Sequence, residues 1–246
     1  MTLIVDYPLS STFAGVNTLQ AQGTIDTGDN LPDGIGDSLY ISNGFMVSHI
    51  TEDDTPTATG IRAEVTDSAR ANGSYVYNVA ITLADDFNPL LDYMMLMQIH
   101  DTPDGGDPSR AVPFALTYEQ SGDFAIRVPL SSLPTESANT RIIPIMKAIR
   151  GREYVFTLHV LWSITATGFR HFYVDRQPVF KETNLATTYD DVVGNYFKCG
   201  CYDATHNARF GEITAFYRNV KIYSGNDGFE TAMGGNPIAR TQLLYR

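Results

Sequence analysis

Cysteine is nearly absent from this chain. Its two residues of 246, Cys199 and Cys201, stand two apart in what reads as a single strand. There their side chains share a face and their Cα atoms lie roughly 6.5 to 7 Å apart, a poor spacing for a disulfide. A metal centre would want more Cys or His at ligand spacing, and only His206 is near, so the pair reads as two small buried apolar groups. Basic residues are scarce as well. Lys and Arg number 17 against 28 Asp and Glu, a formal charge of −11, which excludes a broad surface for nucleic acid or an anionic membrane. An anionic ligand would need a locally positive cleft. No apolar run approaches the ~20 residues of a membrane helix. The opening "MTLIVDYPLSSTFAGV" has neither a basic n-region nor an apolar h-region, so no secretory signal peptide is read. Sustained helical periodicity, internal repeats and low-complexity tracts are missing too.

What is present is a sizeable core in β form. Hydrophobic residues make up 43% and aromatics 11%, too many for a disordered chain, and a β domain of this length can stand undivided. The expectation is a single domain over 1–246, with 1–40 an N-terminal extension and 226–246 a C-terminal tail. Strand-like runs alternate with turn signals: "GSYVYNVAITL" sets Tyr75, Tyr77, Val79, Ile81 and Leu83 on one side, and "YMMLMQIH", "DFAIRVPL", "EYVFTLHVLWSI" and "NYFKCGCY" follow. Many short strands with Gly- and Pro-bearing connections predict an all-β antiparallel sandwich of the jelly-roll kind. The segment "DTGDNLPDGIGD", with Asp26, Asp29, Asp33 and Asp37 among glycines, lacks EF-hand spacing and reads as a solvated, turn-rich stretch.

Three strands carry polar groups that a purely structural strand does not need. Alternation puts Gln98 and His100 on one face with Ile99 opposite. It joins Arg62 to Glu64 with Ile61, Ala63 and Val65 opposite, and sets Tyr196, Lys198, Gly200 and Tyr202 against Phe197, Cys199 and Cys201. Taken alone, an Arg beside a Glu reads as a solvated ion pair and a single His as structural. Side by side in one sheet, these strands would gather Arg62, Gln98, His100, Lys198 and Tyr202 on one cationic, donor-rich surface.

The order of these motifs resembles a known family. "RAEV" from Arg62, "QIH" from Gln98 and "YFKCGCY" from Tyr196 are similar, in the same order, to the three strand motifs of concanavalin-like jelly-roll alginate lyases. "QIHDTPDGGDPSRAVPFAL", "LHVLWS" and "YVDRQPVF" look like segments of the wider group that includes glucuronan and heparin lyase relatives. The likeness runs from about Arg62 to Tyr223 and leaves the first fifty residues outside. The family's second Arg in the first motif is absent near Thr66 and Asp67, and Arg176 stands where the family has Gly after Val-Asp.

The resemblance implies a polysaccharide lyase acting on a uronic-acid polymer by β-elimination. Arg62, Gln98 and His100 would neutralise the uronate carboxylate and hold the charge that develops on it. Tyr202 would protonate the leaving oxygen, and His100 or Tyr202 would take the C5 proton. Lys198, Glu64, Arg110 and Tyr196 are expected to contact substrate, and Gly200 to let a sugar ring approach the backbone. No metal is assigned to the site and no cofactor is required, with Ca²⁺ the one structural candidate. The partner is an anionic polysaccharide, with no nucleic acid and no membrane, and the setting is extracellular or virion-associated, with a homo-oligomeric or virion assembly in view. The competing reading is a non-catalytic carbohydrate-binding or virion structural module. A glycoside hydrolase would rest on Glu64 and Asp101, a weaker carboxylate pair.

Overall fold

A computed structural model describes residues 2–9, 11–28, 31–32, 34–87, 92–108, 110–130, 139–204, 211–225 and 229. The strands in chain order are β1 (Thr2–Tyr7), β2 (Thr18–Ala21), β3 (Thr24–Thr27), β4 (Gly34–Ile35), β5 (Leu39–Ser42), β6 (Phe45–Thr51), β7 (Ile61–Thr66), β8 (Ser74–Leu83) and β9 (Tyr93–His100). They continue as β10 (Phe114–Glu119), β11 (Asp123–Pro129), β12 (Thr140–Lys147), β13 (Glu153–Leu161), β14 (Gly168–Val174), β15 (Gln177–Leu185), β16 (Tyr196–Asp203) and β17 (Glu212–Ser224). Two antiparallel sheets result. One runs β15-β14-β13-β8-β17-β6-β5-β4 with β1 added beside β17, and the other runs β12-β11-β10-β9-β16-β7-β2-β3. This is the jelly-roll sandwich that the strand pattern predicts.

Alternation decides which side of each strand enters the core. Tyr77, Val79, Ile81 and Leu83 of β8 are buried there, as are Phe197, Cys199 and Cys201 of β16. Aromatic rings join the layers: Tyr77 stacks on Phe197 with centroids 5.9 Å apart, and Phe156 contacts both Phe124 and Phe172. Burial pushes the Cys201 thiol up to about 12 and raises Cys199 well above its ordinary value, so both act as small apolar groups. Pro144 lies in the edge strand β12, where a missing N–H is tolerated.

Residues 1–40 are less of an extension than the sequence suggests. β1 extends one sheet beside β17, and β2 pairs with β7 in the other. The Asp-rich stretch falls partly outside the described residues, as do His206 and all of the 226–246 tail except Phe229.

β16 carries a bulge. Against β9 its register steps from Cys199↔Met97 to Tyr202↔Met95, while against β7 it stays regular. Ser48 of the opposite sheet fixes the irregularity, its Oγ accepting from the Cys201 N–H at 2.8 Å and donating to the Ala63 carbonyl at 2.7 Å. Gly200 has φ +137°, and a Cβ there would sit 2.0 Å from the Ala63 oxygen. Gly200 is thus required by the neighbouring strand's backbone, a reason beyond the one the sequence suggests.

Arg176 has a conformational explanation as well. Asp175 and Arg176 have φ of +49° and +68° in the turn joining β14 to β15, the left-handed pair of a type I′ hairpin, where Gly is favoured at the second position. Asp175 is held by Arg152 and by the Val155 N–H, which maintains the turn without it.

Two substitutions test these backbone constraints by chemical denaturation. Gly200→Ala is expected to cost about 3 kcal/mol or more, whereas Arg176→Gly is expected to stabilise by about 1 kcal/mol; an unchanged midpoint for both would contradict the assignment.

Candidate active site

Three neighbouring strands bring the expected residues onto one sheet face. Lys198 is paired with Gln98 on one side and Thr66 on the other, and Tyr202 is opposite Arg62. Tyr196 is opposite His100. All lie on the face turned away from the core, as the alternation predicts.

The arrangement centres on Glu64, which is 1% exposed. Its Oε1 accepts from Gln98 Nε2 at 2.6 Å, and its Oε2 meets Lys198 Nζ at 2.8 Å and Arg62 Nη1 at 3.5 Å. Arg62 and Glu64 therefore do not form a solvated surface pair: both are buried, and the surface is less cationic than expected because a carboxylate sits among its donors. Burial pulls the Lys198 ammonium down in pKa, and the Glu64 charge opposes that pull.

Gln20, on β2, is a contributor that the sequence reading missed. Its Oε1 accepts from Arg62 Nη1 at 3.3 Å and Lys198 Nζ at 3.2 Å, so one amide oxygen ties both cations. The period-2 pattern of "TLQA", with Leu19 and Ala21 fully buried, was the available signal. Thr59 was missed too, and its turn carries no pattern that marks it. Arg62 Nη2 donates to Thr59 Oγ1 at 3.3 Å, and Thr59 Oγ1 lies 3.0 Å from the Tyr202 hydroxyl. Arg62 also covers the Tyr202 ring at 3.9 Å from its centroid.

His100 lies at the other end of the group, its side chain 33% exposed. The ring stacks on Tyr196 at 5.1 Å, and its Nδ1 lies 2.7 Å from the Asp101 carbonyl. A carbonyl only accepts, so Nδ1 carries the hydrogen and Nε2 holds the lone pair. Burial lowers the His100 pKa, against the opposing effect of Asp101. Burial likewise pushes Tyr196 up to about 12, with Glu64 and Asp101 adding to it, so it stays a phenol.

Arg110 is engaged elsewhere. Its side chain is 1% exposed, with Nε on Asp101 at 2.7 Å, Nη1 on Asp107 at 2.9 Å and Nη2 on Asp191, while its guanidinium covers the Tyr189 ring. It offsets the aspartates of the loop after β9, as that loop's acidity demands, and its hydrogen-bonding edges meet protein carboxylates. Asp101 is bound to Arg110 and lies beside His100, while Glu64 is engaged by Gln98, Lys198 and Arg62. Among the described residues no three or more His, Cys, Asp or Glu side chains cluster to hold a metal ion. Among the same residues no helix is long and apolar enough to cross a membrane.

Glu64→Gln keeps the size of the side chain and removes the charge between two buried cations. A loss of about 3 to 5 kcal/mol in urea unfolding is expected; a loss below about 1 kcal/mol would show that the cations do not depend on it.

Comparison with known proteins agrees with the fold. No curated protein sequence matches the chain. Among solved structures, the endo-β-1,4-glucuronan lyase of the fungus Trichoderma reesei superposes with a TM-score of 0.68 at 16% identity, covering 91% of this chain and 96% of the other. An alginate lyase of polysaccharide lyase family 7 gives 0.68 at 13%, covering 90% and 100%. One from Pseudomonas aeruginosa gives 0.64 at 17%, covering 86% and 99%. At these identities the likeness is one of fold. The model of the polysaccharide lyase family matches residues 40–221, most of the chain, and on that match the protein belongs to the polysaccharide lyase family.

Proposed function

We propose that this protein cleaves a uronic-acid-containing polysaccharide by β-elimination, with His100 as the base and Tyr202 as the acid. The observation that carries the reading is the convergence of Arg62, Gln98, His100, Lys198 and Tyr202 on one sheet face, with His100 held neutral and its Nε2 lone pair available. The C5 proton of a uronate becomes removable only when donors hold the charge building on the adjacent carboxylate. Gln98 has a second amide hydrogen beyond the one given to Glu64, and Arg62 Nε is a buried donor without a hydrogen-bond partner among the described residues. With Arg62 donating to Thr59 Oγ1, the Thr59 hydrogen can turn to the Tyr202 oxygen, which frees the phenolic hydrogen for the departing glycosidic oxygen. The products are an unsaturated uronate and a new sugar hydroxyl, made without water or a redox cofactor.

A carbohydrate-binding module without activity is the second reading. It is favoured by the engagement of Arg62, Gln98 and Lys198 with Glu64 and by their low exposure. Such a polymer lies outside the producing cell, so the lyase reading implies export or carriage on a phage particle; cosedimentation of the chain with particles, or its recovery from culture medium, separates these settings.

Ultraviolet absorbance of the unsaturated product tests the chemistry. Wild-type protein is expected to produce it on one uronate polymer, and Tyr202→Phe to lower the rate by about 10² or more. The acidic limb of kcat/KM is expected below pH 6.5, because the lowered His100 pKa keeps the base unprotonated to lower pH. Saturable binding with no product would favour the binding module.

A further inference from the structure

The charges around the proposed cleft bear on which uronate polymer it takes. On the outward face of the eight-stranded sheet, the described residues supply four cations: Arg62, Lys198, Arg127 and Lys147. They supply three carboxylates: Glu64, Glu119 and Asp123. Arg127 is taken by both oxygens of Glu119, at 3.1 and 2.8 Å, and Lys147 meets Asp123 at 3.1 Å. Glu64 sits between Arg62 and Lys198. With His100 neutral the face has a surplus of one positive charge, located at Arg62 and Lys198.

The mouth beside His100 has the opposite sign. The loop after β9 carries Asp101, Asp104 and Asp107, and the segment before β16 carries Asp190 and Asp191. Arg110 pins the two together by binding Asp101, Asp107 and Asp191, and the Val192 N–H donates to Asp104. Three of these five carboxylates are bound by the one guanidinium, and Asp190 is exposed. Beside them Val192 is 85% exposed, an uncharged surface for an uncharged ring.

We infer that the substrate is a heteropolysaccharide in which one uronate is flanked by neutral sugars, and that a homopolyuronate, with a carboxylate on every ring, is disfavoured. The inference rests on the β-elimination reading. One surplus positive charge matches one carboxylate, while carboxylates in the adjoining subsites would meet the aspartates without compensation. Asp104 and Asp190 are then specificity-determining residues.

The test compares alginate and glucuronan with hyaluronan, unsulfated chondroitin and heparosan, in EDTA and in millimolar Ca²⁺, by product absorbance. Cleavage confined to the alternating polymers, with Asp104→Asn/Asp190→Asn raising the rate on homopolyuronates relative to them by about two- to fivefold, is the expected result. Equal or faster cleavage of alginate or glucuronan in either buffer would overturn the inference while leaving the lyase reading intact. If no polymer is cleaved the lyase reading fails, and affinity electrophoresis through alginate decides the charge argument. Retardation that is absent, or that grows with added salt as repulsion is screened, supports it; retardation that salt abolishes overturns it.

Discussion

The constraint on which the rest of the site depends is the burial of two cations on a β-sheet face beside one carboxylate. Removing Arg62 and Lys198 from water is costly, and it is offset only because Glu64 meets both and Gln20 accepts from both. The four groups come from β2, β7 and β16, so the charge network also locks the register of three strands. The same carboxylate that makes the cations tolerable cancels one of them. What is left is a surplus of about one positive charge, held in place by the fold.

A second constraint, the β16 bulge, acts on backbone geometry. With Ser48 satisfying the Cys201 N–H and the Ala63 carbonyl from across the core, β16 steps its register against β9 without losing its pairing with β7. Tyr202 thereby stays opposite Arg62 while Tyr196 and Lys198 stay opposite His100 and Gln98. The positions of Tyr202 beside Arg62 and of Tyr196 beside His100 are thus set on either side of a structural irregularity, and Gly200 is the residue that makes the irregularity possible.

How far these features could be read from the sequence follows from the range of the interactions. The faces of β16 and β9 are local, period-2 properties, so the core placement of Phe197, Cys199 and Cys201 and the shared face of Gln98 and His100 were legible. Gln20 was not, because its partners lie 42 and 178 residues away. The engagement of Arg110 was not legible, because its partner Asp191 lies 81 residues on. The burial of Arg62 and Glu64 was hidden for the same reason: adjacent in the strand, they look like a solvated pair until Lys198 and Gln98 arrive from other strands. Gly200 was recognised as special, but its cause is the neighbouring backbone, which local pattern does not reveal.

The bond-breaking chemistry is the central claim, and the fate of water tests it most directly. Polymer cleaved in heavy-oxygen water is analysed by mass spectrometry. β-Elimination predicts fragments that carry no heavy oxygen from the cleavage and a non-reducing end lighter by one water. Incorporation of one heavy oxygen per break, with a saturated end, would mean hydrolysis and would contradict the roles given to His100 and Tyr202.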